Sequence, residues 1–599
     1  MRLGIDTGGT FTDLVDDEGR VVKVPSTPDD PARAVRESIA AIAPAGDAGR
    51  GRPALLAHGT TVATNALLER RLGRVALVTN LGFADLLEIA RQARPALYDL
   101  HADRPAPLVP REWRYEVAGR LDAHGNELTP FDGVLPTLDD SVASVAVCLL
   151  HSDLDPAHER AVAAAFAAQG VDAVCSADVS PEFREYERMV TTVADAALRP
   201  VCRAYLDSLT DVADEVLVMT SAGGLVPVAD AAAHPAHLLL SGPAGGVQAA
   251  AAVAAGCGFP DAVAFDMGGT STDVCLVLGG APAPSPAHTV AGLPIRLPAL
   301  AVHTIGAGGG SIAAVDPGGA LSVGPRSAGA QPGPACYGFG GAEPTVTDAD
   351  LALGRIPADH PLPGLGRLDV ESAHAALARA GVTAGGVVAV VDAAMERAVR
   401  AVTVEQGVDP RELALVAFGG AGPLHACAVA DALGMRTVIV PARAGVFSAV
   451  GLVSAPRRRE LVRSWNDAGD PTAALAELAA RARAAVGDAG DQADVVVETS
   501  LDCRYRGQSH ELTVPSVAAF PAAHARHNGY TRDGVPIEVV ALRARAARPA
   551  PMLLTELPAP SREFVAGPAV VAEEDCTLWV PEGWTAQPGP TGAWVVTRS

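Results

Sequence analysis

Apolar runs that end in glycines, each followed by a short polar turn, set the rhythm of this chain from its first residues. Leu3-Gly4-Ile5 predicts a strand, Phe11 to Val15 a second, Asp16-Asp17-Glu18-Gly19 a turn and Val21 to Val24 a third strand. The order returns mid-chain, where Ala262 to Phe265 and Val274 to Leu278 flank another glycine pair and Gly279-Gly280 makes the turn. Leu413 to Phe418 reads as a buried strand, Gly419-Gly420-Ala421-Gly422 as a turn, and Pro423 to Leu433 as a helix with proline at its first position. Ala54 to Ala57 and Val145 to Leu150 predict strands; Val62 to Leu68, Phe83 to Ala90 and Pro156 to Gln169 predict helices. A helix reaching about Leu198 carries Arg184, Glu185, Glu187 and Arg188, alternating charges that suit a solvated, paired face. Beyond Arg457-Arg-Arg459 the alternating stretches Val496 to Arg504, Ile537 to Leu542 and Trp594 to Thr597 suggest a small β-rich domain. The resulting plan is a first lobe over 1–197, a second over 198–455 and a C-terminal α+β domain over 456–599.

The two glycine turns are one octapeptide written twice. Asp6-Thr-Gly-Gly-Thr-Phe-Thr-Asp13 and Asp266-Met-Gly-Gly-Thr-Ser-Thr-Asp273 agree at six of eight positions, about 260 residues apart, in matching strand contexts. Paired glycines (Gly8, Gly9 and Gly268, Gly269) let backbone N–H groups approach phosphate oxygens and form a nest. Thr10, Thr12, Thr270 and Thr272 add hydroxyl donors. A carboxylate at a strand end repels phosphate unless a cation and its waters lie between them, so Asp6 and Asp266 imply Mg²⁺. Asp13 and Asp273 suit a structural role, accepting turn amides, and stand as secondary metal candidates. Gly419 and Gly420 would let a flat base or ribose lie against the backbone. The chain has no G-x-x-x-x-G-K-[ST] loop, and Gly306-Ala-Gly-Gly-Gly-Ser311 lacks the spacing and βαβ setting of a dinucleotide fingerprint.

Composition narrows the partners. A formal charge of −23 over 599 residues argues against nucleic acid. Nine cysteines, scattered singly without a C-x-x-C pair, fit reduced thiols in a cytoplasmic protein. The N-terminus begins directly with a strand, and apolar segments such as Ala249 to Ala255 and Gly386 to Val391 are too short to span a membrane. Pro235 between His234 and His237 argues against a helical metal-ligand pair, and His425 is expected to pack beneath the glycine turn.

Two phosphate hairpins and a late glycine turn, in that order, resemble the α/β fold shared by actin, sugar kinases and the large heat-shock chaperones, in which two related lobes close on ATP. The chain as a whole resembles the hydantoinase/oxoprolinase family, specifically its A-type subunit, as in N-methylhydantoinase and the N-terminal part of ATP-dependent 5-oxoprolinase. The residues carrying this are both octapeptides, His58-Gly-Thr-Thr-Val-Ala-Thr-Asn65, Arg91-Gln92 with Arg94-Pro95 and Tyr98-Asp99-Leu100, and Arg184-Glu-Tyr-Glu-Arg188. Ser241-Gly-Pro-Ala-Gly-Gly246, Ile305 to Ile312, Pro332 to Gly338, Pro344-Thr-Val-Thr-Asp348, Tyr505-Arg-Gly-Gln508 and Gly567-Pro-Ala-Val570 continue it.

The resemblance implies ATP-dependent opening of a cyclic amide (a hydantoin, 5-oxoproline or a related lactam), begun by phosphorylation of its carbonyl oxygen. The catalytic expectation is Asp6 and Asp266 holding Mg²⁺, with loop amides and threonines stabilising the phosphoryl group. Candidate substrate residues are His58, Thr60, Thr61 and Asn65 at a strand-to-helix junction, where Thr60 or Thr61 could equally cap the helix, and Arg91, which could equally sit in a surface salt bridge. Two positions depart from the pattern: Asp195 stands where an asparagine is usual, and Gly119 where a glutamate is. Full 5-oxoprolinases continue with a second catalytic half where this chain ends at Ser599, so a separate B-type subunit and a hetero-oligomer are expected. The alternatives are the ATP-using subunit of an acetone- or acetophenone-type carboxylase and a chaperone-like regulatory ATPase. The latter would need a peptide-binding module and lid that the tail does not suggest.

Overall fold

The computed structural model describes residues 1–27, 29–42, 52–99, 101–359, 366–467, 469–486 and 494–599. Leu100, at the end of the Tyr98-Asp99-Leu100 motif, lies outside the described residues. Two large mixed sheets dominate, each grown outward from one glycine hairpin. In the first, Arg2–Thr7 pairs antiparallel with Phe11–Asp16, which pairs antiparallel with Val21–Pro25. On its other side Arg2–Thr7 pairs parallel with Leu55–Thr60, which pairs parallel with Glu215–Met219. The second sheet repeats this. Ala262–Met267 is antiparallel to Thr272–Leu278, which is antiparallel to Ala281–Pro282. Ala262–Met267 is parallel to Ala414–Phe418, and that strand to Thr437–Val440.

The strands are apolar because both faces are covered. Leu55, Ala57, Leu217 and Met219 point into the core that the first sheet shares with the second, while Leu3, Ile5, Leu14 and Leu56 point to the opposite core. Between the sheets lie two helices, Gly242–Gly256 and Phe447–Val453, each following the last parallel strand of its half. They pack on one another, Phe447–Val453 also against Arg2–Thr7 and Gly242–Gly256 against Ala262–Met267, so they fix where one hairpin stands relative to the other. A separate parallel sheet, ordered Ala173–Cys175, Ser144–Val147, Val75–Asn80, Arg114–Val117, is joined to the first sheet by the helix Glu185–Asp207.

Several expectations change. The helix expected over Phe83 to Ala90 is one turn, Leu86–Ile89. The charged start of Glu185–Asp207 is not a solvated face throughout, since Arg188 is fully buried, its guanidinium 3.0 Å from Asp153 and donating to the Leu149 carbonyl. Sheet membership crosses the boundaries expected at 197 and 455. Glu215–Met219 belongs to the first sheet, and most strands beyond residue 456 extend one sheet or the other: Arg457–Ser464, Val496–Tyr505, Leu512–Val514 and Ile537–Arg548 the first, Val565–Ala566, Trp584–Pro588 and Trp594–Arg598 the second, while Ala569–Ala572 and Thr577–Val580 pair with each other. Alternation along these strands reveals a buried face but not which neighbour buries it. All nine cysteines are free thiols. No single helix among the described residues is long and apolar enough to cross a membrane; the pair Val370–Ala380 and Ala384–Gln406 passes by composition only together, bent by 80°.

Candidate active site

The two hairpins share one register: Asp6 lies opposite Asp13 and Asp266 opposite Asp273. Each turn closes the same way, the Gly8 amide donating to the Phe11 carbonyl and the Gly268 amide to the Ser271 carbonyl, both at 3.0 Å. Among the described residues the amides of Gly9, Thr10, Gly269 and Thr270 donate to nothing. Both turns open onto one cleft of about 320 Å³, which Asp6, Asp13, Asp266 and Asp273 also line. Unpaired amides at a glycine turn are what an anion nest requires.

Beside each strand-end aspartate the neighbouring parallel strand supplies a glycine. A β-carbon on Gly59 would come within 2.8 Å of Asp6 Oδ1, and one on Gly419, at φ +79°, would overlap Asp266 Oδ1. These glycines leave the carboxylates room to face the cleft. Gly419 and Gly420 line the cleft with Ala421, ahead of the helix Gly422–Leu433, which carries Pro423 in its first turn, one residue after its start, and ends at the left-handed Gly434. The run Gly308 to Gly310 braces the second hairpin, Gly309 and Gly310 donating to the carbonyls of Gly268 and Gly269. Thr347, held by the Thr345–Asp348 capping box at the head of the helix Val346–Ala352, in turn donates its hydroxyl to the Gly309 carbonyl.

The electrostatics are crowded. Burial, then the neighbouring Asp13, raises the Asp6 carboxyl to about 7, with Lys23 pulling it back. Burial, then Asp273 and Asp6, holds Asp266 well above the usual carboxylate range. Asp273 is raised to about 6 by burial despite the Thr304 hydroxyl it accepts, and burial raises Asp13 against the pull of Lys23. Asp6 Oδ1 is buried without a hydrogen-bond partner. Oxygen donors that repel one another, one of them orphaned, make a set that suits a hard divalent cation.

The expected site residues divide. Asp6, Gly8, Gly9, Thr10, Asp13, Thr61, Asp266, Gly268, Gly269, Thr270, Asp273, Gly419 and Gly420 line the cleft; the remainder do not. Thr12 and Thr272 are fully buried, Thr12 on Ser26 and Thr272 on the Ala307 carbonyl, because alternation along the strand turns them away from the aspartates. His58 is buried: Nδ1 donates to the Ile5 carbonyl, so Nε2 accepts from the Tyr205 hydroxyl at 2.7 Å, and burial lowers it to about 4. Thr60 Oγ1 accepts the Val62 amide two residues on, Thr61 stands at the N-cap of the helix Val62–Leu68 without a side-chain cap bond, and Asn65 donates to Thr61. Arg91 sits outside the cleft in a two-point pair with Glu187, 2.8 Å at Nε. Asp195, fully buried, accepts the Ala236 amide, and Gly119 has φ +104°, which disfavours a glutamate there.

Sequence reasoning passes over Lys23, Asp350 and Asp575, all of which line the cleft. For Lys23 a signal existed: it is the only lysine in the chain. His425 is buried as expected, but as a cation between Asp392 at 2.8 Å and Asp350 at 3.1 Å, which raise it to about 10 against the effect of burial. Glu573, Asp575 and Cys576 also converge within 4.8 Å. Glu573 is committed to Arg562 and Asp575 to the Gly445 amide, while burial pushes the Cys576 thiol well up.

The fold and site thus define a mixed α/β protein with a duplicated glycine-hairpin cleft. The hydantoinase/oxoprolinase N-terminal region matches residues 2–170 and the hydantoinase/oxoprolinase model residues 188–460. Caprolactamase subunit alpha of Pseudomonas jessenii is 35% identical over 100% of this chain and 99% of its own. The crystal structure of the ATP-dependent caprolactamase from that organism superposes with a TM-score of 0.84 at 31% identity, covering 100% of both chains. 5-Oxoprolinase 1 of Arabidopsis thaliana is 35% identical over 76% of this chain and 41% of its own, and the acetophenone carboxylase gamma subunit of Aromatoleum aromaticum 32% over 75% and 67%. The chain belongs to the hydantoinase/oxoprolinase family.

Proposed function

We propose that this chain is the ATP-using subunit of a cyclic amide hydrolase, acting with a separate B-type subunit, and that it phosphorylates the carbonyl oxygen of a lactam or hydantoin. The observation that carries this is the pair of hairpins in one register across a shared cleft, in a chain similar from end to end to a caprolactamase alpha subunit. The two sheets are then the two lobes of the actin and sugar-kinase architecture, with the Gly242–Gly256 and Phe447–Val453 helices as the joint between them.

A ring amide is a poor electrophile. When its oxygen takes the γ-phosphoryl group from ATP and ADP departs, the ring carbon becomes open to attack by water; the C–N bond then breaks, nitrogen leaving with the electron pair and taking a proton, and a second water releases phosphate from the resulting acyl phosphate. For that step the chain supplies orientation and charge stabilisation rather than a covalent nucleophile. The amides of Gly9, Thr10, Gly269 and Thr270 are placed to grip phosphate oxygens from two sides, and the Gly419–Ala421 turn offers a flat floor for the nucleoside. Asp6 and Asp266 would hold Mg²⁺, which when bound would neutralise phosphate charge beside these carboxylates.

The test is a screen of hydantoins, 5-oxoproline and other lactams, with the partner subunit supplied and phosphate release as readout. Ring-dependent turnover is expected, and Asp266→Ala is expected to abolish it while the protein stays folded. Turnover unchanged in that variant would sink the mechanism. The acetophenone carboxylase relative motivates one further arm: ketone plus bicarbonate, whose stimulation of ATP turnover would favour carboxylation over ring opening.

A further inference from the structure

Six aspartates line the cleft, Asp6, Asp13, Asp266, Asp273, Asp350 and Asp575, and Lys23 is the one cationic side chain among the lining residues. Of 46 lysine and arginine residues it is also the one lysine. Arginine serves at every other basic position, so a generic counter-ion here would be expected to be arginine as well. Guanidinium and ammonium differ: the first is a planar fork that locks on a carboxylate, the second a compact charge with three donors that several acceptors can share.

The placement gives that difference a use. Asp6, Asp13 and Lys23 stand in a row across three adjacent strands, Asp6 opposite Asp13 and Asp13 opposite Lys23. Lys23 Nζ lies 2.7 Å from Asp13 Oδ1, 3.5 Å from the Gly445 carbonyl and 5.1 Å from the Phe11 ring centroid, so its direction is fixed while donor capacity remains. In the second half the same row reads Asp266, Asp273, Thr304. Within this row the duplication is broken at one position, and only the first half sets a cation beside its hairpin.

We infer that Lys23 is a catalytic residue: it contacts the phosphoryl group in transfer, so the reacting end of the nucleotide lies at the first hairpin. This rests on the ATP-dependent reading above. As the ring oxygen bonds to phosphorus and the bond to the departing ADP oxygen breaks, ADP leaves with the electron pair. Lys23 keeps its proton throughout and offsets charge on the phosphoryl oxygens, with Asp13 orienting it.

A chain with one lysine allows a direct test. Pyridoxal phosphate followed by borohydride, with peptide mapping, should label Lys23, and MgATP should protect it, while labelling of the Met1 amine stays constant as an internal control. Labelling of Lys23 indifferent to MgATP overturns the inference. This arm needs no ring substrate, so it reads out even if the lactam screen fails. With turnover in hand, Lys23→Met and Lys23→Arg should each lower kcat roughly 100-fold or more with a smaller change in KM for ATP. Asp13→Asn with and without Lys23→Met separates the roles: a lysine that merely neutralises Asp13 is dispensable once Asp13 is uncharged, so equal turnover in Asp13→Asn and in the double variant overturns the inference, and a further loss on adding Lys23→Met supports it.

Discussion

Gly451 lies against the backbone of Gly245 so closely that a β-carbon on it would overlap the Gly245 carbonyl oxygen. This is the crossing point of the two helices that sit between the sheets, and each helix touches the strand that leads into a hairpin. The separation of the two glycine hairpins is thus set by a backbone-to-backbone contact rather than by adjustable side chains. Gly451→Ala should force the helices apart, costing about 1–3 kcal/mol as overpacking does. A lowered melting temperature together with a loss of ATP turnover larger than the residual fold explains is the expected result; an unchanged melt would show that the crossing yields freely.

Gly419→Ala tests the site more locally. The residue has φ +79°, and its β-carbon would meet both Asp266 Oδ1 and the Met267 carbonyl. The variant should displace the Asp266 carboxylate and depress kcat by at least an order of magnitude, roughly what a misplaced reacting group costs. Steady-state kinetics with ATP and a ring substrate check this, and wild-type kcat would remove Asp266 from the reaction.

Two buried histidines predict opposite pH limbs of stability. Burial lowers His58 to about 4, from an ordinary 6.5, so the unfolded chain takes up its proton first on acidification. Its stabilising contribution is complete above 6.5 and lost as pH falls toward 4, on the order of 3 kcal/mol in all. His425, raised to about 10 by Asp350 and Asp392, does the reverse: its contribution is complete below 6.5 and lost as pH rises toward 10. Chemical denaturation from pH 4 to 10 should show His58→Gln blunting the acid limb alone and His425→Gln the alkaline limb alone. Coincident profiles for either variant and the wild type would discount that histidine.

What was legible in the sequence was local. The octapeptides, the helix start beside Pro423 and the glycine turns depend on neighbours a few residues away, and these appear where they were expected. Long-range pairing was not legible. His58 sits in a glycine-threonine run that looks like a binding loop, yet its partners, Ile5 and Tyr205, lie 53 and 147 residues away in sequence. Arg188 reads as a surface charge until Asp153 and the Leu149 carbonyl are placed beside it. The C-terminal strands were visible as strands, but alternation along one strand carries no information about which sheet it joins.

Arg543 shows how firmly that C-terminal segment is tied in. Its buried guanidinium lies 2.8 Å from Asp502, 3.2 Å from Glu182 and 3.4 Å from Glu460, joining three strands of the tail to the loop that precedes the Glu185–Asp207 helix. Those carboxylates keep it charged despite burial. Without Arg543, Glu182 keeps Arg296 at 2.6 Å and Glu460 keeps Arg545 at 3.3 Å, but the buried Asp502 loses its ion-pair partner, and stripping a buried charge of its partner costs about 3–5 kcal/mol. Arg543→Met should therefore lower the melting temperature of the whole chain in one transition, because the tail strands continue the first sheet. Calorimetry distinguishes the alternatives: a separate early transition, with the remaining protein melting as in wild type, would mean that the tail unfolds independently of the sheet it extends.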